Sequence, residues 1–255
     1  MIRETVNACL ACVVTFAVCA VAYPAAVYGI GHTLFPSKAR GSLIELDGKV
    51  VGSELIAQPF ASAKYFFPRP SAAGTTGFAA DTASGSNLAT TNPALRDRIA
   101  LETARQLASK TGDTDLRSKL DGLDGFQAEI KARKNVKEPS PAESEAIIGL
   151  DGQVAAASTA VDERATELGK GSENLVPVDL VTTSGSGLDP DLSPEAARFQ
   201  AARVAAARGV ATEKILGRID ALVDHSAAIL GAPPRINVLR LNLDLDSSFP
   251  TQDPR

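Results

Sequence analysis

The sequence predicts an α+β domain preceded by one N-terminal transmembrane helix. Three observations carry that prediction: a charge-free apolar run near the amino terminus, a hairpin pattern soon after it, and capped helical segments towards the C-terminus.

No Asp, Glu, Lys or Arg occurs from Val6 to Ser37, and Val6 to Ile30 is almost wholly apolar or small. Those 25 residues would extend roughly 37 Å as a helix, enough to cross a hydrocarbon core about 30 Å thick with some tilt. Pro24 interrupts the run, which a membrane helix tolerates better than a soluble one. Tyr23, Tyr28 and His32 gather in its second half, where amphipathic rings suit an interface.

Two other readings compete. Ala20-Val21-Ala22 could be a signal-peptidase site, but Glu4 cancels Arg3 and the run continues through Ala25, Val27 and Ile30. Ala11 before Cys12 allows a lipoprotein site, but Cys9 sits where an aliphatic residue is wanted. The flanking charges set the amino group and Arg3 against Lys38 and Arg40, and alone they put the large domain on the cytoplasmic side. Cys9, Cys12 and Cys19 all lie in the run, so they say nothing of the domain's redox compartment.

The chain has 255 residues, a net charge of -4 and a pI near 5.3, which gives no basic footprint for a nucleic-acid partner. Aromatic residues make up 5%, with 20 Gly and 15 Pro, which implies a modest core with many turns.

After the run, Leu43-Ile44-Glu45-Leu46, Asp47-Gly48 and Lys49-Val50-Val51 form a hairpin pattern, because Asp-Gly suits a type I′ turn. Ser71 to Asn92 is rich in Gly, Ser, Ala and Thr and predicts loop. Asn92-Pro93 opens a helix with Leu95, Ile99 and Leu107 on its apolar side. Ser193-Pro194-Glu195 starts another, ending at Gly209. A further helix from Thr212 carries Ile215, Leu216, Ile219, Leu222 and Val223 on one stripe and stops at Gly231 and Pro233-Pro234. Leu239, Leu241, Leu243 and Leu245 then alternate with Arg240, Asn242 and Asp244, which predicts a strand.

Residues 112–175 differ in character. They hold thirteen acidic against eight basic residues, a net of -5 where the whole chain has -4. Leu116, Leu120, Leu123 and Ile130 hint at helix, with Gly122 and Gly125 as interruptions. The expectation is an acidic, partly helical or mobile insertion that buries little. The organisation is therefore an anchor (1–35), a first part of the domain (36–111), the insertion (112–175) and a second part (176–255).

A search for chemistry returns little. Gly48-Lys49 and Gly169-Lys170 lack the spacing and hydroxyl of a phosphate loop, and Pro190 breaks the dinucleotide pattern begun by Gly185 and Gly187. Ser186 lacks the flanking glycines of a nucleophile elbow. Neither His has a Cys or second His nearby, so no catalytic or metal residue is assigned. What stands out are two small-residue loops, Ser84-Gly85-Ser86-Asn87 and Ser184-Gly185-Ser186-Gly187. They suit tight turns, or nests for groups of either sign.

The second loop lies within Val176-Pro177-Val178-Asp179-Leu180-Val181-Thr182, Ser184-Gly185-Ser186-Gly187-Leu188-Asp189-Pro190 and Ser193-Pro194-Glu195-Ala196-Ala197. This stretch resembles the C subunit of the Kdp-type potassium-transporting ATPase. Ala22-Tyr23-Pro24, Gly41-Ser42-Leu43-Ile44, Asp47 to Ser53, Tyr65-Phe66 with Arg69-Pro70-Ser71, Ser84 to Leu88, Asn92-Pro93, Gln200, Arg203-Val204-Ala205, Arg208 and Gly231 to Leu243 follow that family in order. The likeness spans about three-quarters of the chain. Phe67-Pro68 departs from it, since relatives usually carry a Gly before the Arg. The acidic segment is also longer than the corresponding connection.

The resemblance implies a non-catalytic subunit of the inner (plasma) membrane, crossing once with its amino terminus cytoplasmic and its main domain extracytoplasmic. It implies three partner subunits: one potassium-channel-like, one P-type ATPase, and one small single-span peptide. It also implies a role in assembly and in raising the ATP affinity of the ATP-hydrolysing subunit. This chain alone would bind no cofactor, reaching ATP and potassium through the complex. The interface candidates are Ser184, Gly185, Ser186, Gly187 and Asp189, with Ser84, Gly85, Ser86, Asn87 and Arg69. Here Gly185 and Gly187 permit close backbone approach, and Asp189 can cap or pair. The other reading is an anchored or secreted ligand-binding domain unrelated to a pump.

Overall fold

The structure, a computed structural model, describes residues 2–46, 48–134, 141–170, 175–226 and 228–251. It divides into two units, Met1–Ile56 and Ala57–Arg255.

The first unit begins with α1 (Ile2–Phe16), a π-helical stretch (Ala17–Ala22) and α2 (Tyr23–Leu34). Together they form one apolar helix, Ile2–Leu34, long enough to cross a membrane, with a mean hydropathy of 2.2 over its most apolar window and no buried residue. Pro24 offers no N–H to its i−4 carbonyl and crowds it. The π turn directly before it widens the ladder, and Tyr23 N–H donates to the Val18 carbonyl, so the helix continues through the proline. A short α3 (Pro36–Ala39) leads to β1 (Leu43–Leu46) and β2 (Lys49–Ser53). Leu46 pairs with Lys49 across a two-residue loop, as expected, and Gly48 takes φ +75°. The pairing slips between Ile44 and Glu45, and Val51 is the extra residue of a β-bulge. Asp47 lies outside the described residues.

In the second unit, α7 (Pro194–Arg208), α8 (Thr212–Leu222) and α9 (Val238–Ser248) enclose one core with the short antiparallel pair β3 (Asp191–Leu192) and β4 (Ile236–Asn237). Ser193 Oγ accepts from Ala196 N–H at the start of α7, and Gly209 ends it in the left-handed region. Ala196, Ala197, Ala201 and Ala205 are buried, so neighbours approach the α7 backbone closely. Ile215 and Ile219 of α8, Ile236, Leu241 and Leu245 fill the space against them. The expected stripe of α8 is present, but the helix stops at Leu222 rather than Gly231. Asp224 and Arg235 then bridge, backbone to backbone, and close a loop over the intervening residues.

The strand expected from Leu239 to Leu245 is instead helix α9. Its buried residues are Val238, Leu239, Leu241, Asn242 and Leu245, a helical face that includes a polar position. Asn237 caps it by accepting from Arg240 N–H. Asn242 Oδ1 accepts from Phe66 N–H at 2.8 Å and its Nδ2 donates to the Phe66 carbonyl at 3.0 Å. Gln200 of α7 does the same for Phe67, at 2.9 and 3.1 Å. Two side-chain amides thus pair the backbone N–H and C=O groups of Phe66 and Phe67 as neighbouring strands would.

Around that segment, Arg203 donates to the Ala63 and Tyr65 carbonyls and lies 4.1 Å from the Phe67 ring centre. Burial pushes its guanidinium down to about 10. Arg208 is buried and donates to the carbonyls of Lys64, Leu245 and Phe249 and to Asp246.

A second core lies under α4 (Pro93–Thr111), α5 (Thr114–Lys134) and α6 (Pro141–Leu168). Asn92 caps α4 as expected, and Gly112 ends it at φ +70°. Leu116, Leu120 and Leu123 of α5, with Val161 and Ala165 of α6, bury Ala104, Leu107 and Ala108 of α4. Gly122 and Gly125 are exposed and leave α5 unbroken, each at a cost of ~1 kcal/mol. The acidic stretch is thus a packed helical pair where sparse burial was expected. Arg105 of α4 pairs with Asp124 at 2.7 Å, and Arg164 of α6 with Asp113 at 2.6 Å.

Candidate functional site

The two Ser/Gly loops, separated by about a hundred residues in sequence, meet in the fold. Ser71 organises the contact: its Oγ donates to the Gly187 carbonyl at 2.6 Å and accepts from the N–H groups of Ala73 and Phe78. Gly187 takes φ +70°, and a Cβ there would strike the Ser84 carbonyl and approach Ala73 N to 2.9 Å. On the other side, a Cβ on Gly85 would come within 2.9 Å of the Gly185 carbonyl. Each loop therefore has one glycine, Gly85 or Gly187, against which the other loop's backbone lies. The close approach expected of Gly187 at an interface is made within the chain, to Ser84 and Ala73. For Gly185, nothing lies within 4 Å of where its own Cβ would be.

Polar side chains fix the loops further. Ser186 Oγ lies 3.4 Å from Ser184 Oγ and accepts from Leu188 N–H at 3.1 Å. Ser84 Oγ donates to the Ala72 carbonyl at 3.2 Å. Asn87 holds φ +50°, a conformation Asn tolerates better than most residues. Arg69 pairs with Asp189 at 3.1 Å and reaches Thr182 Oγ1 at 3.3 Å, while Asp189 also accepts from Asp191 N–H. Arg69 thus braces the segment around the second loop, and its recorded bonds go to Thr182, Thr183 and Asp189.

Ser71, Thr183 and Arg98 belong to the same assembly, though sequence reasoning did not assign them. Arg98 of α4 reaches Ser86 at 3.3 Å and Thr183 at 3.4 Å. Ser71 was legible only as part of Arg69-Pro70-Ser71, and no local signal marks Arg98.

Beside the loops opens a groove of about 770 Å³. Its lining includes Arg69, Asp179, Asp189, Asp191, Glu195 and Arg235. Asp179 accepts from Ser193 N–H at 2.7 Å. Burial raises the Asp191 carboxyl above its ordinary range, Arg235 opposes this, and Asp189 adds to it. Among the described residues, no three His, Cys, Asp or Glu are grouped to hold a metal ion.

Among the described residues one helix, near the N-terminus, is long and apolar enough to cross a membrane, and a mixed helix/strand domain follows it, the architecture of a membrane-anchored, single-pass protein. The sequence profile of the KdpC family, the c chain of the K+-transporting ATPase, matches residues 5–120 and 139–247, and the chain belongs to that family. A Potassium-transporting ATPase KdpC subunit from Myxococcus xanthus is 40% identical over 251 residues, covering 98% of this chain and 90% of its own. The protein of that name from Rhodospirillum rubrum is 39% identical, over 90% and 88% of the two chains. One from Rhodopseudomonas palustris strain BisB5 is 36% identical, over 97% and 98%. The profile leaves out 121–138, the last two-thirds of α5 and the residues just beyond it.

Proposed function

We propose that this chain is a non-catalytic subunit that assembles with a potassium-channel-like subunit, a P-type ATPase subunit and a small single-span subunit. The family match carries the reading, and two structural features support it. The apolar helix has no buried residue, so its whole surface is open to lipid or other membrane helices. Gly85 and Gly187 lie against the backbone of the opposite loop, and the hydroxyls of Ser84 and Ser186 bond backbone groups beside their own loops.

With the domain on the extracytoplasmic side of the inner membrane, cytoplasmic ATP is out of its reach. A raised ATP affinity in the ATP-hydrolysing subunit then comes from holding the complex in its coupled form. The test is potassium-stimulated ATPase activity of complexes purified from cells with and without this chain. Loss of both complex and activity is expected when it is absent. An intact, fully active complex without it would refute the assembly role.

A further inference from the structure

We propose that the Ile229–Leu230 turn and the adjoining groove dock an extracytoplasmic loop of a partner subunit, one presenting a Lys or Arg flanked by apolar side chains. This deepens the assembly reading above and rests on it.

Ile229 and Leu230 are 96% and 88% exposed, more than any other large apolar side chain among the described residues of the second unit. Single exposed aliphatics are ordinary; an adjacent pair this exposed marks a contact surface. From this turn the chain runs through Gly231 into Ala232, Pro233 and Pro234, which line the groove with Pro177 and Val178. Val178 is itself exposed. Proline fixes the backbone on that side, so docking there orders little that is not already ordered.

The charges say what covers it. The lining carries four acids against two arginines. Arg69 is engaged with Asp189, and Arg235 is shared between Asp191 and Asp224. Glu195 makes no ion pair among the described residues. Asp189 and Asp191 lie close enough in this lining for each carboxylate to act on the other. A guanidinium or ammonium from outside supplies positive charge, and the apolar turn takes the residues beside it. An anionic membrane surface would be repelled by this lining. A second copy would set like charge against like. The carboxylates are not gathered for a metal.

The test uses the full chain, tagged after Arg255 and co-expressed with its partner subunits, with the complex recovered from detergent-solubilised membranes. The Ile229→Ser/Leu230→Ser double variant and Glu195→Lys should each lower co-recovery of the ATP-hydrolysing subunit by at least ~10-fold. Ile148→Ser, an exposed aliphatic on α6, should leave it unchanged. Melting of the tagged chain should be the same for all. Variants recovered like the wild type would overturn the inference and leave the assembly reading standing. Failure of the wild-type chain to recover any partner would overturn the assembly reading itself. Wild-type binding to phosphatidylcholine/phosphatidylglycerol vesicles lost in the double variant, or self-association lost in it, would give the surface to lipid or to a second copy.

Discussion

The carbonyl oxygen of Ser84 occupies the place that a Cβ on Gly187 would need. Gly187 also sits at φ +70°, a region L side chains rarely adopt, so shape and backbone both select glycine there. Gly187→Val should therefore destabilise the domain after the anchor by about 2–4 kcal/mol. Gly185→Ala, with open space around it, should stay within ~0.5 kcal/mol of wild type. Thermal melting followed by circular dichroism checks both. An unchanged melt for Gly187→Val would restore Gly187 as a candidate for direct contact with a partner.

Removing the acidic helical pair should do harm. The α5 and α6 helices cover Ala104, Leu107 and Ala108 of α4, so excising residues 113–174 exposes an apolar face. Leu116 and Leu123 are almost fully buried, and Leu116→Ala or Leu123→Ala should each cost about 2–5 kcal/mol. Denaturant midpoints measure this, and values near zero would mean the second core contributes nothing.

Much of the fold was legible in the sequence, and the failures have identifiable causes. The caps at Asn92 and Ser193 and the stripe of Ile215 and Ile219 are local signals, and the structure keeps them. The alternation from Leu239 to Leu245 misled because Asn242 was taken as solvent-facing. In the fold it is buried to bond Phe66, some 176 residues away in sequence. Asn237 before that run was the available helix signal. In the acidic stretch, sparse leucines were taken for low burial. Three of them, Leu116, Leu120 and Leu123, share one face, and alanine and valine from α6 complete the core. The Ser/Gly loops were picked out by composition, but their mutual packing needs two segments brought together and leaves no trace in either alone.

The arginine at the end of α7 is expected to be essential to stability. Arg208 donates to three carbonyls and to Asp246, and its side chain is fully buried. Arg208→Ala removes all four bonds, leaving the Leu245 carbonyl only Phe249 N–H and Asp246 only the Tyr65 hydroxyl, and should cost about 3–5 kcal/mol. Arg208→Lys should recover only part, because an ammonium cannot reproduce the guanidinium fork. The order wild type, Lys, Ala in melting temperature is the check.

Acid should weaken the tie between α5 and α6. Arg164 holds the Asp113 carboxyl below its ordinary range, and Leu116 N–H adds to this. The pair's contribution is therefore fully present above the unfolded carboxyl value and is lost as pH falls through the lower folded value. Asp113→Asn keeps the cap but not the charge. It should melt below wild type at pH 7, with the gap closing as pH drops through that range. A gap that does not change with pH would remove the ion pair from the account.

The central claim is that the domain after the anchor lies outside the cytoplasm and reaches ATP hydrolysis only through assembly. A reporter active only outside the cytoplasm, fused after Arg255 on the full chain, tests this most directly. Activity is expected, and it should fall when Val14→Asp weakens insertion of the span by about 2.5–3.5 kcal/mol. Signal only from a cytoplasm-restricted reporter at the same position would contradict the claim.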